Sequence, residues 1–398
     1  MGLFSRLRRN KTAQTDEERQ SAAIDAQLNE ANLEEQLHFT LLLLGAGESG
    51  KSTFAKQLNH IHKGKEQLNE EERAEYKKVL AMNTVQSMKA LIDGLDKFDI
   101  AVNEDSEEAL TRMREHGDHD PLDLDDAVAV EKLWADPGIQ EVFNKHVSEI
   151  YFPDSGVYYF ENVYRFVEEQ FEPTEEDIIM ARRRTVGMQR SDFRVPPVDW
   201  SVCDVGGQRC ERKKWRMFFD NVQAILYVVN LAGYNRVLFE DQSKNRMMEA
   251  LDLWDTMVNE AVFRDTPVYL FLNKKDLFDS QLRETPISET FPDYDGPNDV
   301  QDAIAFISQQ FLSRLPKGKK ADVHVISARV KGDVRFAFGE VKKSIMDAHK
   351  KSITKVQKKQ AKLADERERD DGDETEDDTT AGQQEQDAAK CFRFGRRR

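Results

Sequence analysis

The 398-residue sequence has little cysteine, no long apolar run and no excess of basic residues, and each absence excludes a class of protein. Its three cysteines, Cys203, Cys210 and Cys391, are too few and too scattered for a disulfide or zinc framework, which favours a reducing compartment. No apolar run approaches the roughly 20 residues that span a bilayer, and no apolar signal-peptide core is present. The net charge of −16 argues against a nucleic-acid binder. We therefore expect a protein of the cytoplasm with about two domains.

An apolar run followed by a glycine-rich loop organises the rest of the chain. Leu41–Leu44 indicates a buried parallel strand, because a strand covered on both faces shows no polar alternation. It leads directly into Gly45-x-x-x-x-Gly50-Lys51-Ser52, the spacing of a phosphate-binding loop. The glycines let backbone N–H groups surround an anion, and the following helix directs its positive end at the same phosphates. We expect Lys51 to reach the β and γ phosphates and Ser52 to bind Mg²⁺; the alternative is a glycine-rich turn that holds nothing.

Strand and helix patterns alternate after residue 177, whereas the block before it is helical. The predicted strands after that block are Val198–Val205, Ala224–Asn230, Val268–Leu272 and Val323–Ile326, and the predicted helices are Asn245–Phe263, Asn298–Leu315 and Val334–Ala348. This alternation predicts a mainly parallel sheet with right-handed crossovers. In the helical block we predict a long helix over Glu66–Phe98, a loop over Asn103–Asp120 and shorter helices over Leu122–Phe171. The pattern predicts an all-helical domain inserted into an α/β domain.

The N-terminal segment is basic and then amphipathic. Met1-Gly2 suits N-myristoylation, but Arg6 stands where that motif has Ser or Thr. An acyl chain with a basic cluster would hold the protein on an anionic membrane, and a solvated basic tail fits equally well. Between Asp16 and Gln36, apolar residues at near-helical spacing predict a helix that packs on its own domain or on a partner.

The C-terminal segment is acidic and ends in a basic, aromatic tip. Residues 365–378 are dominated by Asp and Glu with almost no apolar residue, a composition that favours disorder. The tip, residues 391–398, reads Cys-Phe-Arg-Phe-Gly-Arg-Arg-Arg. A flexible solubilising tail and a partner-binding tip are both open.

A second phosphate-site motif, Asp204-Val-Gly-Gly207-Gln208, ends a predicted strand. Asp204 suits a water-mediated contact to Mg²⁺, and the Gly207 amide suits the γ-phosphate. Gln208 is placed to orient an attacking water. The motif therefore supplies one residue for Mg²⁺, one for the γ-phosphate and one for the attacking water.

A base-selecting motif, Asn273-Lys274-Lys275-Asp276, ends the next predicted strand but one. The Asp276 carboxylate can accept from N1–H and the N2 amine of guanine, whereas adenine offers no such donor pair there. The Lys274 stem can lie over the ring, and the backbone N–H of Ala328 can reach guanine O6. Together the motifs predict a guanine nucleotide.

In this order, the motifs resemble those of heterotrimeric G protein α subunits over roughly residues 16–350. The matching stretches are Gly45–Thr53, Asn83–Ser87, Asp154-Ser155, Pro173–Gly187, Asp204–Trp215 and Asn273–Asp276. The resemblance implies an α/β, Ras-like P-loop GTPase domain, a mainly parallel sheet with helices on both faces, carrying an inserted all-α helical domain. The implied organisation is an N-terminal segment 1–36, a GTPase domain in two parts, 37–63 and 178–356, the helical domain 64–177 and a disordered tail 357–398.

The resemblance also implies roles for individual residues. Arg182 falls at the arginine finger that these proteins carry in cis. Arg183 and Arg184 follow it directly, so only the family spacing selects Arg182 among the three. Thr185 falls on the threonine that binds Mg²⁺ with Ser52 and Asp204. The full nucleotide-binding set implied is Gly47, Glu48, Ser49, Gly50, Lys51, Ser52, Thr53, Asp154, Ser155, Ile179, Met180, Ala181, Arg182, Thr185, Asp204, Gly207, Gln208, Asn273, Lys274, Asp276 and Ala328. Gln208 and Arg182 are the implied catalytic residues.

The function implied is that of a GTP-hydrolysing switch that passes signals from membrane receptors to effectors. GTP or GDP and Mg²⁺ are the implied ligands. The implied partners are a βγ dimer, bound through the N-terminal helix (Ile24, Asp25, Leu28) and the segment after Asp204, a G protein-coupled receptor, an effector and an RGS protein. The implied location is the cytoplasmic face of the plasma membrane, peripherally bound, and the cytoplasm. A scaffold that binds nucleotide without turnover and an ATP-dependent phosphotransferase are the alternatives.

Three departures from the family pattern bear on regulation. The family's Thr-Cys-Ala-Thr guanine loop reads Ile326-Ser327-Ala328-Arg329 here, and the loss of small polar residues beside the base suggests fast GDP release. Leu3 stands where many members have a cysteine, so palmitoylation there has no support. About forty residues follow Lys358, where the receptor-coupling helix normally ends the chain.

Overall fold

The computed structural model describes the backbone of residues 16–64, 68–238, 241 and 243–393, with side chains from residue 20 to 364 apart from 22, 23, 26 and 30. The described helices are α1 Asp16–Glu35, α2 Lys51–Lys63, α3 Glu70–Phe98, α4 Glu107–Glu115, α5 Leu124–Trp134, α6 Pro137–His146, α7 Gly156–Glu161, α8 Val163–Val167, α9 Glu175–Met180, α10 Arg209–Arg212, α11 Arg246–Val258, α12 Lys275–Glu284, α13 Val300–Leu312 and α14 Lys331–Arg393. The strands are β1 His38–Leu44, β2 Met188–Val195, β3 Val198–Val205, β4 Ala224–Asn230, β5 Val268–Asn273 and β6 Ala321–Val325.

The six strands form one sheet in the order β2-β3-β1-β4-β5-β6. The pairs β1–β4, β4–β5 and β5–β6 are parallel, with Leu44 opposite Tyr227 and Asn230 opposite Asn273. The pair β2–β3 is antiparallel. Because the carboxyl ends of parallel strands lie at one edge, the loops after β1, β5 and β6 meet there. The predicted α/β class with a mainly parallel sheet is confirmed.

The strand predictions hold best where apolar residues are continuous. The bounds predicted for β3 and β4 are those observed, and β5 and β6 differ by one or two residues at their ends. The strand β2 was not predicted, because its charged residues lie largely exposed on an edge strand and show no apolar run. The loop predicted over Asn103–Asp120 is wrong in part, because α4 forms there and buries Leu110 and Met113. The helix α12 was also missed.

Two large hydrophobic cores lie in different parts of the chain. One joins β1, β4 and β5 to α11 and α13, with the rings of Tyr227 and Trp254 4.9 Å apart and Phe311 5.8 Å from Trp254. The other is built from α3 to α8 and includes Met88 and Phe160. Each fully buried large apolar side chain stabilises the fold by about 1.5–3 kcal/mol. An inserted helical domain requires a core of its own, as found here. Residues 39–345 nevertheless form one compact unit, so the domain boundaries at residues 64 and 177 stay predictions.

The two ends of the chain belong to a separate unit made of the segments up to residue 38 and from residue 346. In it, Leu33 and Val356 are buried, whereas Ile24 and Leu28 of α1 are 50% and 63% exposed. The predicted tail, 357–398, begins inside α14, which is much longer than the predicted helix. The backbone of residues 357–393 is helical, which differs from the disorder predicted for this tail. The basic segment 1–12 lies outside the described residues, so the prediction for it is untested. Within the described ranges, no helix has the length and apolarity needed to cross a bilayer.

Candidate functional site

The phosphate-binding loop lies between β1 and α2, as its sequence predicts. Gly50 has φ +99°, and a Cβ on it would stand 2.1 Å from Asn273 Nδ2, so this position requires glycine. The buried Lys51 ammonium donates to the carbonyls of Gly45 and Ala46, both at 2.9 Å. The loop therefore curls around its own lysine and holds that positive charge at the carboxyl edge of the sheet.

The three predicted metal ligands meet beside this loop. Ser52 Oγ lies 2.5 Å from Asp204 Oδ2 and 2.8 Å from Thr185 Oγ1, and Thr185 Oγ1 lies 3.2 Å from the same carboxylate oxygen. The second oxygen, Asp204 Oδ1, is buried and accepts no hydrogen bond from any described residue. Burial raises the pKa of Asp204, against the pull of the Lys51 charge, and lowers the pKa of Lys51 to about 8.

These residues fit a magnesium ion. A buried carboxylate oxygen without a donor, next to two hydroxyl oxygens, is the hard oxygen set that Mg²⁺ accepts while keeping several waters. Over the described ranges, no cluster of three or more His, Cys, Asp or Glu side chains could hold a metal. Only Asp204 of the present set is a carboxylate, so the site relies on hydroxyl groups.

Gly207 and Gln208 lie on the other side of the lysine. A Cβ at Gly207 would stand 2.4 Å from Lys51 Nζ and 2.7 Å from Gly45 O, so only glycine allows this approach. Gln208 precedes the first residue of α10 and lines the cleft that opens beside the phosphate-binding loop. Its buried Oε1 accepts no hydrogen bond from the described residues. The segment after it is fixed to α11, where Arg209 and Arg212 contact Glu249 at 2.9 and 2.6 Å.

Asn273 joins the phosphate loop to the loop after β6. Its Nδ2 donates to Ser49 O at 2.8 Å, and its Oδ1 accepts from the backbone N–H of Ala328 at 2.8 Å. The Ala328 N–H is thus engaged by Asn273, whereas the sequence analysis expected it to face guanine O6. Asp276 lines the same cleft.

Lys274 bridges the two sides of the cleft. It has φ +66°, and its ammonium donates to Glu48 O at 2.7 Å and to Asp154 Oδ2 at 2.5 Å. Burial alone would raise the pKa of Asp154, but the charges of Lys274 and Arg246 outweigh burial and hold it well below its usual range. Asp154 stays ionised and paired.

The linker that carries the three arginines is fixed by its own backbone carbonyls. The helix α9 begins with a capping box between Thr174 and Asp177. In the last turn of α9 and just after it, Lys56 Nζ donates to Ile178 O at 3.0 Å and to Ala181 O at 2.8 Å, and Tyr159 OH donates to Met180 O at 2.7 Å. The chain therefore enters Arg182 with little conformational freedom.

Each of the three arginines has a different partner. Arg182 Nη2 donates to Glu48 Oε1 in the phosphate loop at 2.6 Å. Arg183 pairs with Glu75 on α3 at 2.8 Å and lies 4.8 Å from the centre of the Tyr76 ring, and Arg184 donates to Cys210 Sγ. All three line the cleft, but only the first is held by the phosphate loop. The assignment of Arg182 as the catalytic arginine stays a prediction.

The backbone of Arg182 is held by Asn83 of α3. Its N–H donates to Asn83 Oδ1 at 2.8 Å, and its carbonyl accepts from Asn83 Nδ2 at 3.1 Å. Asn83 is 7% exposed, on the face of α3 that also buries Leu80 and Met88. No role was predicted for Asn83 from the sequence. It is a polar residue at a position where the apolar periodicity of α3 predicts burial, and that mismatch could have marked it as functional.

Glu48 is the centre of a second cluster that sequence reasoning reached only in part. Besides Arg182, its carboxylate accepts from Arg246 at 2.9 Å and from Tyr151 OH at 2.7 Å. Burial alone would raise the pKa of Glu48, but the two arginines outweigh it and lower the pKa. Arg246 lies 95 positions after Tyr151 in the sequence, and neither residue belongs to a motif named above, so no local pattern predicted their meeting.

The cleft brings nearly all predicted site residues together. The exceptions are Ser49, which is buried under the loop, and Asp204, which lies behind Ser52 and Thr185. The predicted residues that line the cleft are Gly47, Glu48, Gly50, Lys51, Ser52, Thr53, Asp154, Ser155, Ile179, Met180, Ala181, Arg182, Thr185, Gly207, Gln208, Asn273, Lys274, Asp276 and Ala328. Which of them bind nucleotide is a proposal taken up below.

Comparison with known proteins points to one family. The family model described as G-protein alpha subunit matches residues 18–345. The guanine nucleotide-binding protein alpha-8 subunit of Dictyostelium discoideum is 40% identical over 348 residues, 86% of this chain and 85% of that protein. The alpha-1 subunit of Mycosarcoma maydis is 37% identical over 82% of this chain and 93% of its own, and the G(o) alpha subunit of Lymnaea stagnalis is 36% identical over 81% and 92%. The chain belongs to the G-protein alpha subunit family.

Proposed function

We propose that this G-protein alpha subunit hydrolyses GTP in the cleft between the phosphate loop and the arginine linker, with Gln208 and Arg182 as its catalytic residues. Family members are GTPases, and nothing observed favours a scaffold without turnover. The observation that carries the residue assignment is the Arg182–Glu48 contact, because it holds one guanidinium of three against the phosphate loop. Gln208 lines the same cleft with a carboxamide oxygen that no described residue engages.

The chemistry divides between these two side chains. A neutral carboxamide is a poor base, so Gln208 orients a water for in-line attack rather than taking its proton. Negative charge grows on the oxygens of the departing phosphoryl group, and a guanidinium with its fixed fork of donors stabilises that charge. Glu48 and the Asn83 amide fix the side chain and backbone of Arg182 before the reaction, which reduces the reorganisation the transition state requires.

Ligand binding follows from the other residues of the cleft. We propose that Lys51 and the backbone of Gly47–Thr53 hold the phosphates and that Ser52, Thr185 and Asp204 hold Mg²⁺. The ion, when bound, supplies positive charge to the phosphate oxygens. Asn273, Lys274, Asp276 and the loop at Ala328 select guanine, and Asp154 with Ser155 closes the cleft.

We further propose that a βγ dimer binds α1 in the GDP state, and that the partners include a membrane receptor, an effector and an RGS protein. Support comes from Ile24 and Leu28, which expose 50% and 63% of their surface on one helix beside Asp25. Exposed apolar groups at this spacing suit a partner surface. Peripheral binding at the cytoplasmic face of the plasma membrane is part of this proposal.

Paired kinetics on the full chain test the proposal. GTPγS uptake measures exchange, single-turnover hydrolysis of bound GTP measures chemistry, and competition with excess ATP measures base selection. We expect uptake, hydrolysis and no competition by ATP. Uptake without hydrolysis would support the scaffold instead, and competition by ATP would support the phosphotransferase.

A further inference from the structure

We infer that Arg329, one of the residues at which this chain departs from the family's guanine loop, is a positioning residue that latches the nucleotide cleft closed and slows GDP release. The inference rests on the proposed function, since it concerns the same cleft. Arg329 Nη2 donates to Ser155 Oγ at 2.9 Å, across the opening from the loop after β6 to the residue that precedes α7. Both residues line the cleft.

The loop that carries Arg329 is held at successive backbone positions. The N–H of Ser327 donates to Asp333 Oδ2 at 2.8 Å, the N–H of Ala328 donates to Asn273 Oδ1, and the carbonyl of Arg329 accepts from Gln57 Nε2 at 2.8 Å. The planar guanidinium is pre-organised, so less freedom is lost for each hydrogen bond that it forms. The contact to Ser155 therefore starts from a fixed backbone and orders only the Arg329 side chain.

A second bridge lies directly beside the first. Lys274 pairs with Asp154, which precedes Ser155 in the sequence. Two cationic side chains, Lys274 after β5 and Arg329 after β6, therefore contact two adjacent residues on the other side of the cleft. The residues lining the cleft come from both walls, so contacts that join the walls oppose the opening through which a nucleotide leaves. A threonine, the family residue at this position, is too short to span the gap.

The direction is opposite to the one suggested by the sequence alone. Loss of a small polar residue beside the base suggested a looser grip, because only contacts to the base were considered. The structure adds a contact between walls that threonine cannot make. A charge-assisted hydrogen bond in a half-buried setting is stronger than a neutral one, so its loss is expected to speed release.

The test is the rate of GDP release from the full chain loaded with fluorescent GDP and chased with excess unlabelled GTP. We expect Arg329→Thr to release GDP about tenfold faster, a change worth one hydrogen bond to a charged group. Ser155→Ala should speed release to a similar extent, and the double variant should add little beyond either change. Arg335→Thr is the matched control, because it makes the same replacement at an exposed residue of α14.

A second readout separates a latch from a general structural role. With GTP already bound, single-turnover hydrolysis should be unchanged in Arg329→Thr, whereas a damaged site would speed GDP release and also lower the rate of hydrolysis. Arg329→Gln serves where the threonine variant folds poorly, and it should give an intermediate rate. Release that is unchanged or slower in Arg329→Thr, or fully additive effects with Ser155→Ala, would overturn the latch. A chain that fails to bind GDP at all would instead overturn the proposed function and the latch with it.

Discussion

Replacing Asn83 with alanine tests how the arginine finger is held. The substitution removes both side-chain hydrogen bonds to the backbone of Arg182, at 2.8 and 3.1 Å, and leaves that N–H and carbonyl without their partner. A typical hydrogen bond contributes about 0.5–1.5 kcal/mol net, so the two together contribute about 1–3 kcal/mol. If that energy holds the guanidinium in its catalytic position, the rate of hydrolysis should fall by about 5- to 150-fold.

The assay is single-turnover hydrolysis of prebound GTP, with GTPγS uptake as the measure of binding. Uptake should change little, because Asn83 contacts the linker and is not among the residues assigned to nucleotide. Asn144→Ala is the matched control, since it makes the same change at an exposed position of α6. Asn83→Asp, which keeps an acceptor for the Arg182 N–H and loses the donor, should lie between the wild type and alanine.

A double-mutant cycle gives the result that would refute this reasoning. If Asn83 acts through Arg182, then Asn83→Ala should cost almost nothing more in a chain that already carries Arg182→Ala. Full additivity would mean that Asn83 supports the site by another route. An unchanged hydrolysis rate in Asn83→Ala alone would show that the linker holds Arg182 without it.

Three further outcomes follow from the same geometry. Gly50→Ala should lower the free energy of unfolding by at least about 1 kcal/mol and abolish nucleotide uptake, because of the positive φ and the clash with Asn273; urea titration and GTPγS uptake measure the two effects. His62 stacks on Phe193, and burial lowers the pKa of His62 below its usual 6.5. The stability that neutral His62 contributes is therefore complete above pH 6.5 and is lost as the pH falls below that value. His62→Phe should show a smaller drop in unfolding free energy between pH 7.5 and 5.5 than the wild type, and an equal drop would contradict this. Gln208→Leu should keep GTP uptake and lose nearly all turnover, and a wild-type rate would show that its role is misassigned.

The sequence predicted well whatever depends on short spacing. The strand and glycine loop around Lys51, the motif at Asp204 and the motif at Asn273 each combine a buried strand with polar residues at its end. Parallel strands bring such ends to one edge of the sheet, so the sequence alone predicts that these residues lie close together. The choice of Arg182 among three neighbours as the catalytic arginine stays a prediction, although the three arginines have different partners.

What the sequence could not predict depends on contacts between distant residues. Nothing near Tyr151 or Arg246 indicates that both reach Glu48, and Asn83 carries no mark of its bond to a residue 99 positions away. The edge strand β2 escaped because exposure on an edge removes the apolar pattern. The loss of small polar residues beside the base predicted weaker binding, whereas the side-chain partner of Arg329 is Ser155, across the cleft.

The most direct test of the central claim is the single-turnover rate of GTP hydrolysis in Arg182→Ala, compared with Arg183→Ala as the neighbouring control. A cis arginine finger contributes about a thousandfold or more to hydrolysis. The account predicts a loss of that size in Arg182→Ala with GTPγS uptake kept, and a rate near wild type in Arg183→Ala. A wild-type rate in Arg182→Ala, or the large loss in Arg183→Ala instead, would contradict it.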